Sequence, residues 1–169
     1  MEFRRSKETD IEGIMLIIKK AQNHLKEQGI DQWQNGYPNE EVIKVDIEKQ
    51  ESYVLIEDEK AVGTTALSFE AEKTYDNIYD GKWLTDISYA VIHRIAIDID
   101  FRGKGLAREM LKEIEKKCAD NRVKSIKVDT HKENISMQNF LKKNGFKYCG
   151  IIYLKDGNER VAFEKVLNI

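Results

Sequence analysis

Ile95-Ala96-Ile97-Asp98-Ile99-Asp100-Phe101-Arg102-Gly103-Lys104-Gly105-Leu106-Ala107-Arg108 is the stretch on which the reading of the whole chain turns. Its first half, with Ile95, Ile97 and Ile99 at every second position, predicts the end of a strand. Its second half opens an amphipathic helix, with Leu106, Met110, Leu111, Ile114 and Cys118 on one face. Between them lies a turn with two glycines. The first N–H groups of a helix lack intrahelical partners, and with the helix dipole they form an anion site. Glycines let a ligand approach the main chain closely, and Arg102, Lys104 and Arg108 gather positive charge at the same place. The physical expectation is a cradle for a phosphate or pyrophosphate. A tight turn with solvated cations is the plainer alternative; strand, glycines, cations and helix together outweigh it. Two familiar cradles do not fit. A P-loop needs Ser or Thr after Gly-Lys, whereas Gly105 follows Lys104. A dinucleotide fingerprint needs a third glycine where Arg108 stands.

Working outward, a strand is expected over Ile87–Ile99, with Phe101–Gly105 as the turn and Leu106–Ala119 as the helix. Upstream, Glu2–Arg5 reads as a short strand. Thr9 or Asp10 caps a helix that runs to a stop at Gly29. A loop follows to Asn39, which caps a second helix carrying Val42, Ile43, Val45 and Ile47. Tyr53–Ile56 and Ala61–Phe69 form an antiparallel hairpin, and Glu70–Asp86 an irregular excursion. Downstream come a strand over Ser125–Asp129, a helix over Asn134–Asn144, and a hairpin of Tyr148–Leu154 with Arg160–Leu167 around an Asp-Gly turn. Mixed strand and helix alternation predicts an α/β fold: a sheet, partly parallel and partly antiparallel, covered by helices.

Composition narrows the function. The 169 residues suit a single domain over 1–169. Lys plus Arg is 28 and Asp plus Glu 30, a net charge of −2 that argues against bulk nucleic-acid binding. Hydrophobic residues at 41% supply one core, and recurring apolar periodicity argues against disorder. The longest uninterrupted apolar run, Ile14–Ile18, is far short of the ~20 residues that span a bilayer. The first residues carry no apolar segment of a signal peptide. A cytoplasmic location without membrane attachment is expected. Cys118 and Cys149 read as reduced, buried thiols, and His24, His93 and His131 show no metal-ligand spacing, so no metal is expected.

The pattern Arg-x-x-Gly-x-Ala, from Arg102 through Gly105 to Ala107, resembles the acetyl-CoA pyrophosphate loop of the GCN5-related N-acetyltransferase (GNAT) superfamily. Asn134 through Gly145-Phe146, an Asn opening a helix that ends in Gly-Phe, resembles that superfamily's second signature. The two come in the right order, and the element order agrees over nearly the whole chain. The resemblance implies the GNAT acyl-CoA N-acyltransferase fold, a mostly antiparallel mixed sheet with splayed central parallel strands and flanking helices. It implies acetyl-CoA as co-substrate, its pyrophosphate on Arg102, Gly103, Lys104, Gly105, Leu106 and Ala107. Its pantetheine arm lies along the main chain of Ile95, Ala96 and Ile97, with Asn134 reaching the same arm. A main-chain N–H near Ile97 is placed to bond the thioester oxygen. Asn134 also reads as a simple helix cap, and the two roles are compatible.

Departures from the family pattern are Ile99, where a proline is common, and Leu141, where a Tyr often protonates the leaving thiolate. Tyr148 and Tyr153 are the nearest substitutes. His93, whose type has an unperturbed pKa of ~6.5, is the candidate base, with Asp86 and a water chain as competitors. His131 reads as a surface-loop histidine. In the loop between the first helices, Asp31, Trp33 and Tyr37 are candidates for walling an amine pocket; Trp33 also reads as a pin into the core. The expected activity is acetyl transfer from acetyl-CoA to a primary amine of a small molecule or peptide, by direct attack. Action on protein lysines or N-termini, or a non-catalytic CoA-binding regulatory module, are the alternatives. A homodimer through the last hairpin is a further expectation.

Overall fold

Alternating and three-to-four spacings become seven strands and four helices in a computed structural model that describes residues 1–169. In chain order they are β1 (Glu2–Arg5), α1 (Ile11–Glu27), α2 (Glu40–Glu48), β2 (Ser52–Glu57), β3 (Lys60–Ser68), β4 (Ala90–Ile97), α3 (Leu106–Asp120), β5 (Ser125–Thr130), α4 (Ile135–Lys143), β6 (Lys147–Tyr153) and β7 (Glu159–Val166). The strand order is β1-β2-β3-β4-β5-β7-β6. Only β4 and β5 run parallel, paired at Ala90 with Ile126 and Val91 with Lys127. The expected mixed, mostly antiparallel sheet with flanking helices is therefore present. No helix is long and apolar enough to cross a membrane.

The chain forms two compact units, Met1–Leu67 with His93–Ile114, and Ser68–Ile92 with Glu115–Ile169. In the first, Ile11, Ile14 and Ile18 of α1 pack with Ile43 of α2 and Val54 of β2. These are the inward positions of the two amphipathic helices, three or four residues apart. Asn39 caps α2 as expected, its Oδ1 accepting from the Val42 N–H at 3.0 Å. Asp10, not Thr9, precedes α1, and its carboxylate does not cap the helix. It accepts instead from the Lys7 N–H at 2.6 Å and from Arg4 Nη1 at 2.8 Å, which ties β1 to the helix entry.

In the second unit Tyr75, Val91, Ile152 and Ala162 form a cluster flanked by Ile78, Trp83, Tyr89 and Leu154. The excursion expected over Glu70–Asp86 runs in the structure from 69 to 89, and it is irregular but firmly held. Tyr79 and Ile151 exchange N–H···O bonds of 2.8 Å each. Gly81 lies so close to the Cys149 carbonyl that no β-carbon fits, and a Cβ on Gly150 would stand 2.5 Å from the Tyr79 oxygen.

The expected strand over Ile87–Ile99 is shortened at both ends. Ile87 is exposed and precedes the ladder. At the other end, the Asp98 carboxylate accepts from the Asp100 N–H at 3.0 Å and turns Ile99–Phe101 into a 3-10 turn. Alternation alone does not register that aspartate as a cap.

Candidate active site

The glycine turn is built as its composition requires. Gly103 and Gly105 have φ of +78° and +74°, a region open to glycine at no steric cost, and nothing stands within 4 Å of a Cβ on either. Arg102 through Gly105 are exposed, and α3 begins at Leu106. The turn that opens α3 therefore has uncrowded space over its two glycines and cations around it, and the first N–H groups of a helix have no partner within it. Lys104 Nζ lies 4.9 Å from the Phe101 ring centroid and Lys60 Nζ 5.5 Å, so one ring orders two cations. Helix α1 braces the turn. Lys20 Nζ donates to Asp98 at 3.0 Å and Asp100 at 2.8 Å, and Arg102 Nη1 donates to His24 Nε2 at 3.0 Å. Burial alone would raise the Asp98 pKa; the Asp100 N–H and the Lys20 ammonium outweigh it and hold the carboxyl below its usual range. None of this bracing by α1 is visible in the motif.

Strand β4 leads into the turn, and its last five residues, His93–Ile97, are only half-buried although the strand is central in the sheet. The Ile97 side chain comes close to Gly63 of β3, where a Cβ would stand 2.8 Å from Ile97 Cδ1. His93 lies on this strand, and its carbonyl accepts from Thr65 Oγ1 at 3.3 Å. Arg94, which the sequence did not single out, has φ of +51°. A left-handed non-glycine residue costs about 1–2 kcal/mol. Its side chain is clamped: Nε and Nη2 donate to the two Asp46 oxygens at 2.7 and 2.6 Å, and Nη1 donates to the Tyr37 hydroxyl at 3.0 Å.

The loop before α2 divides the three acceptor candidates. Trp33 packs on the first unit's core, which favours its role as a pin. Asp31 is exposed. Tyr37 is tied to Arg94, and the loop is held further by Gln22 Nε2 donating to the Pro38 carbonyl at 3.1 Å.

In the second unit Asn134 caps α4, its Oδ1 accepting from the Met137 N–H at 3.2 Å. His131 Nδ1 accepts from the Glu133 N–H at 3.0 Å and shapes the turn before that helix. Leu141 is 1% exposed and belongs to the interior. Tyr148 and Tyr153 are 47% and 45% exposed; their rings stand edge-on to Phe163 and Tyr79, 5.9 and 5.4 Å between centroids.

A polar group that the sequence did not reveal lines a cleft of about 560 Å³ with Tyr75, Trp83, Asp86, Tyr89 and Lys127. The Lys127 ammonium lies 4.3 Å from the Trp83 ring centroid and 4.0 Å from that of Tyr89, and 3.8 Å from buried Glu164. Burial lowers the Lys127 pKa against the opposing pull of Glu164. Tyr75 donates to Asp129 at 2.6 Å, and burial raises the Asp129 pKa against that bond. Lys127 and Asp129 occupy alternate positions of β5, and that period was the available signal. Both cysteines are buried, and burial with Glu115 nearby pushes the Cys118 thiol up to about 12, which suits packing rather than nucleophilic attack.

Comparison with known proteins matches residues 18–146 to the family model for "Acetyltransferase (GNAT) family". A GNAT-family acetyltransferase from Streptococcus agalactiae is similar over 99% of this chain and 96% of its own, with 37% identity and a TM-score of 0.91. PaiA N-acetyltransferase from Thermoplasma acidophilum, solved with coenzyme A, shares the fold at 18% identity and TM-score 0.70, over 98% of each chain. A ribosomal-protein-alanine N-acetyltransferase from Brucella melitensis does so at 16% identity and TM-score 0.68, covering 99% of this chain and 100% of its own. Comparison with curated proteins finds no match.

Proposed function

Because the chain belongs to the GNAT family of acetyltransferases, we propose that it moves the acetyl group of acetyl-CoA onto a primary amine of a small molecule or peptide. Acyl-CoA-dependent acetyl transfer is the family's activity; the primary amine of a small molecule or peptide as acceptor is our reading. The observation that carries it is the open glycine turn at the start of α3. Room above Gly103 and Gly105, free helix-opening N–H groups and the cations Arg102 and Lys104 fit a pyrophosphate.

Arg102, Gly103, Lys104, Gly105, Leu106 and Ala107 hold that pyrophosphate in this reading. The half-buried main chain of Ile95, Ala96 and Ile97 takes the pantetheine amides, which supply the partners a central strand otherwise lacks. Asn134, in the second unit, is assigned an amide contact to the same arm. Acetyl-CoA supplies an acyl group already activated as a thioester. The protein's tasks are then positioning and proton transfer. An amine arrives mostly as ammonium, and His93 takes its proton before attack. An N–H of β4 offers a hydrogen bond to the acyl oxygen as negative charge develops there. With Leu141 buried in α4, the proton for the departing thiolate comes from Tyr148 or Tyr153, or from solvent. Asp31, Trp33 and Tyr37 wall the acceptor side, Trp33 mainly by fixing the loop.

The test is a panel of amines, including peptides with free N-termini, incubated with acetyl-CoA and read by free-thiol release and mass spectrometry of the amine. Thiol release that depends on one amine class, with a matching acetylated product, is expected. Acetyl-CoA binding with no amine-dependent release from any member would instead indicate a CoA-binding module.

A further inference from the structure

Arg94 is the one non-glycine residue with left-handed φ that lies inside a helix or strand; the others occupy loops and turns. A single such residue interrupts the alternation of a strand and changes the angle between the two peptides that flank it, His93–Arg94 and Arg94–Ile95. That conformation is held from outside the strand. Asp46 of α2 receives two hydrogen bonds in a fork, which fixes the plane of the guanidinium as well as its place. The third bond runs to Tyr37, in the loop that leads to α2. Arg94 and Asp46 are both largely buried, with side chains 15% and 7% exposed. A strained residue whose side chain is this firmly determined is the arrangement expected where a main-chain group must be aimed.

We infer that Arg94 is a positioning residue: clamped by Asp46 and Tyr37, it holds the left-handed bend between its two flanking peptides and thereby aims the Ile95 amide at the acyl end of acetyl-CoA. The inference rests on the assignment of the β4 main chain to the pantetheine arm. The pyrophosphate turn lies seven to ten residues further along the chain, at Arg102–Gly105. Loss of the clamp therefore weakens turnover far more than acetyl-CoA affinity.

Removing one member of a buried ion pair strands the other, so the test removes both. Arg94→Met with Asp46→Leu lacks the clamp and resists the left-handed conformation. Arg94→Gly with Asp46→Leu lacks the clamp but accepts that conformation freely. The Met pair is expected to lose on the order of 10–100-fold in kcat, as for a misplacement near 1 Å, with the acetyl-CoA dissociation constant within about threefold of wild type. The Gly pair is expected to recover several-fold in kcat over the Met pair with the acetyl-CoA dissociation constant unchanged between them, a kcat-only recovery that a purely structural role does not produce. If the apolar pair does not fold, Arg94→Gln with Asp46→Asn replaces it and is compared with Arg94→Gly and Asp46→Asn. Wild-type kcat in a folded Met pair, or equal kcat in the Met and Gly pairs, overturns the inference. Failure of the assignment itself is read separately, as no acetyl-CoA binding by the wild type in calorimetry. In that event the Ile95 amide resonance still decides the backbone claim: it must move in the Met pair and return toward wild type in the Gly pair.

Discussion

At the scale of single residues, the glycine turn and the proton-transfer groups make separable demands. Gly105 has positive φ and nothing within 4 Å of a Cβ, so Gly105→Trp starts its ring in the open space over the turn, at some cost in backbone strain. Acetyl-CoA affinity is expected to fall at least tenfold by calorimetry. Wild type should gain about 2.7 kcal/mol at a hundredfold excess of acetyl-CoA over its dissociation constant, and the variant should gain little at the same concentration. Unchanged affinity in a folded Gly105→Trp protein would remove the turn from the site. His93→Ala should lower kcat/KM on the plateau above the acid limb of its pH profile and remove that limb, while acetyl-CoA still binds. Tyr148→Phe and Tyr153→Phe separate a tyrosine donor from unaided departure of the thiolate. A drop of roughly 100-fold or more in one of them identifies the donor, and wild-type rates in both assign the proton to solvent. The turn is the most legible part of the site because its glycines and cations are contiguous. The Arg94 clamp is not legible, because its partners are 48 and 57 residues away and only the folded chain brings them together.

At the scale of elements, the periodic segments were readable and their ends were not. Helices α1 to α4 fall where three-to-four spacing puts them, since burial of one face decides a helix more than its termini do. Strand β4 ends early because a side chain, Asp98, competes for the backbone, a local chemistry that period counting ignores. Asp10 shows the same competition at the start of α1. Its bond from Arg4, and then its bond from the Lys7 N–H, hold its pKa below the ordinary ~3.9. A carboxylate with a depressed folded pKa adds stability that is complete above the unfolded value and is lost as pH falls through the folded one. Asp10→Asn should therefore lower the melting temperature at pH 7 by about 2–4 °C, as for a loss near 1 kcal/mol. Thermal unfolding followed by circular dichroism should show that gap closing as pH drops below about 4. A gap that stays constant down to pH 2 would show that the charge of Asp10 does not matter.

At the scale of the molecule, the α/β class and the element order were legible, while the place of β7 between β5 and β6 was not. A hairpin turn announces that two strands pair, but which of them then meets a third depends on long-range register. The buried Lys127 and Glu164 were hidden for a related reason, since charged residues on strands read as solvent-facing until the covering excursion is in view. That excursion has a second consequence. Strand β6 is the last in the sheet, and an open final strand is a template on which another chain can add. Here Tyr79 already occupies the main-chain groups of Ile151, and Gly81 permits the approach by having no side chain to hold it off. Gly81→Val should lift the excursion, lower the melting temperature and make light scattering rise with protein concentration. A variant that stays monodisperse and as stable as wild type would show that the contact is dispensable. The chain thus plugs its own sheet margin, and copies that meet through the last hairpin must do so by exposed side chains such as Tyr148 rather than by lengthening the ladder at Ile151.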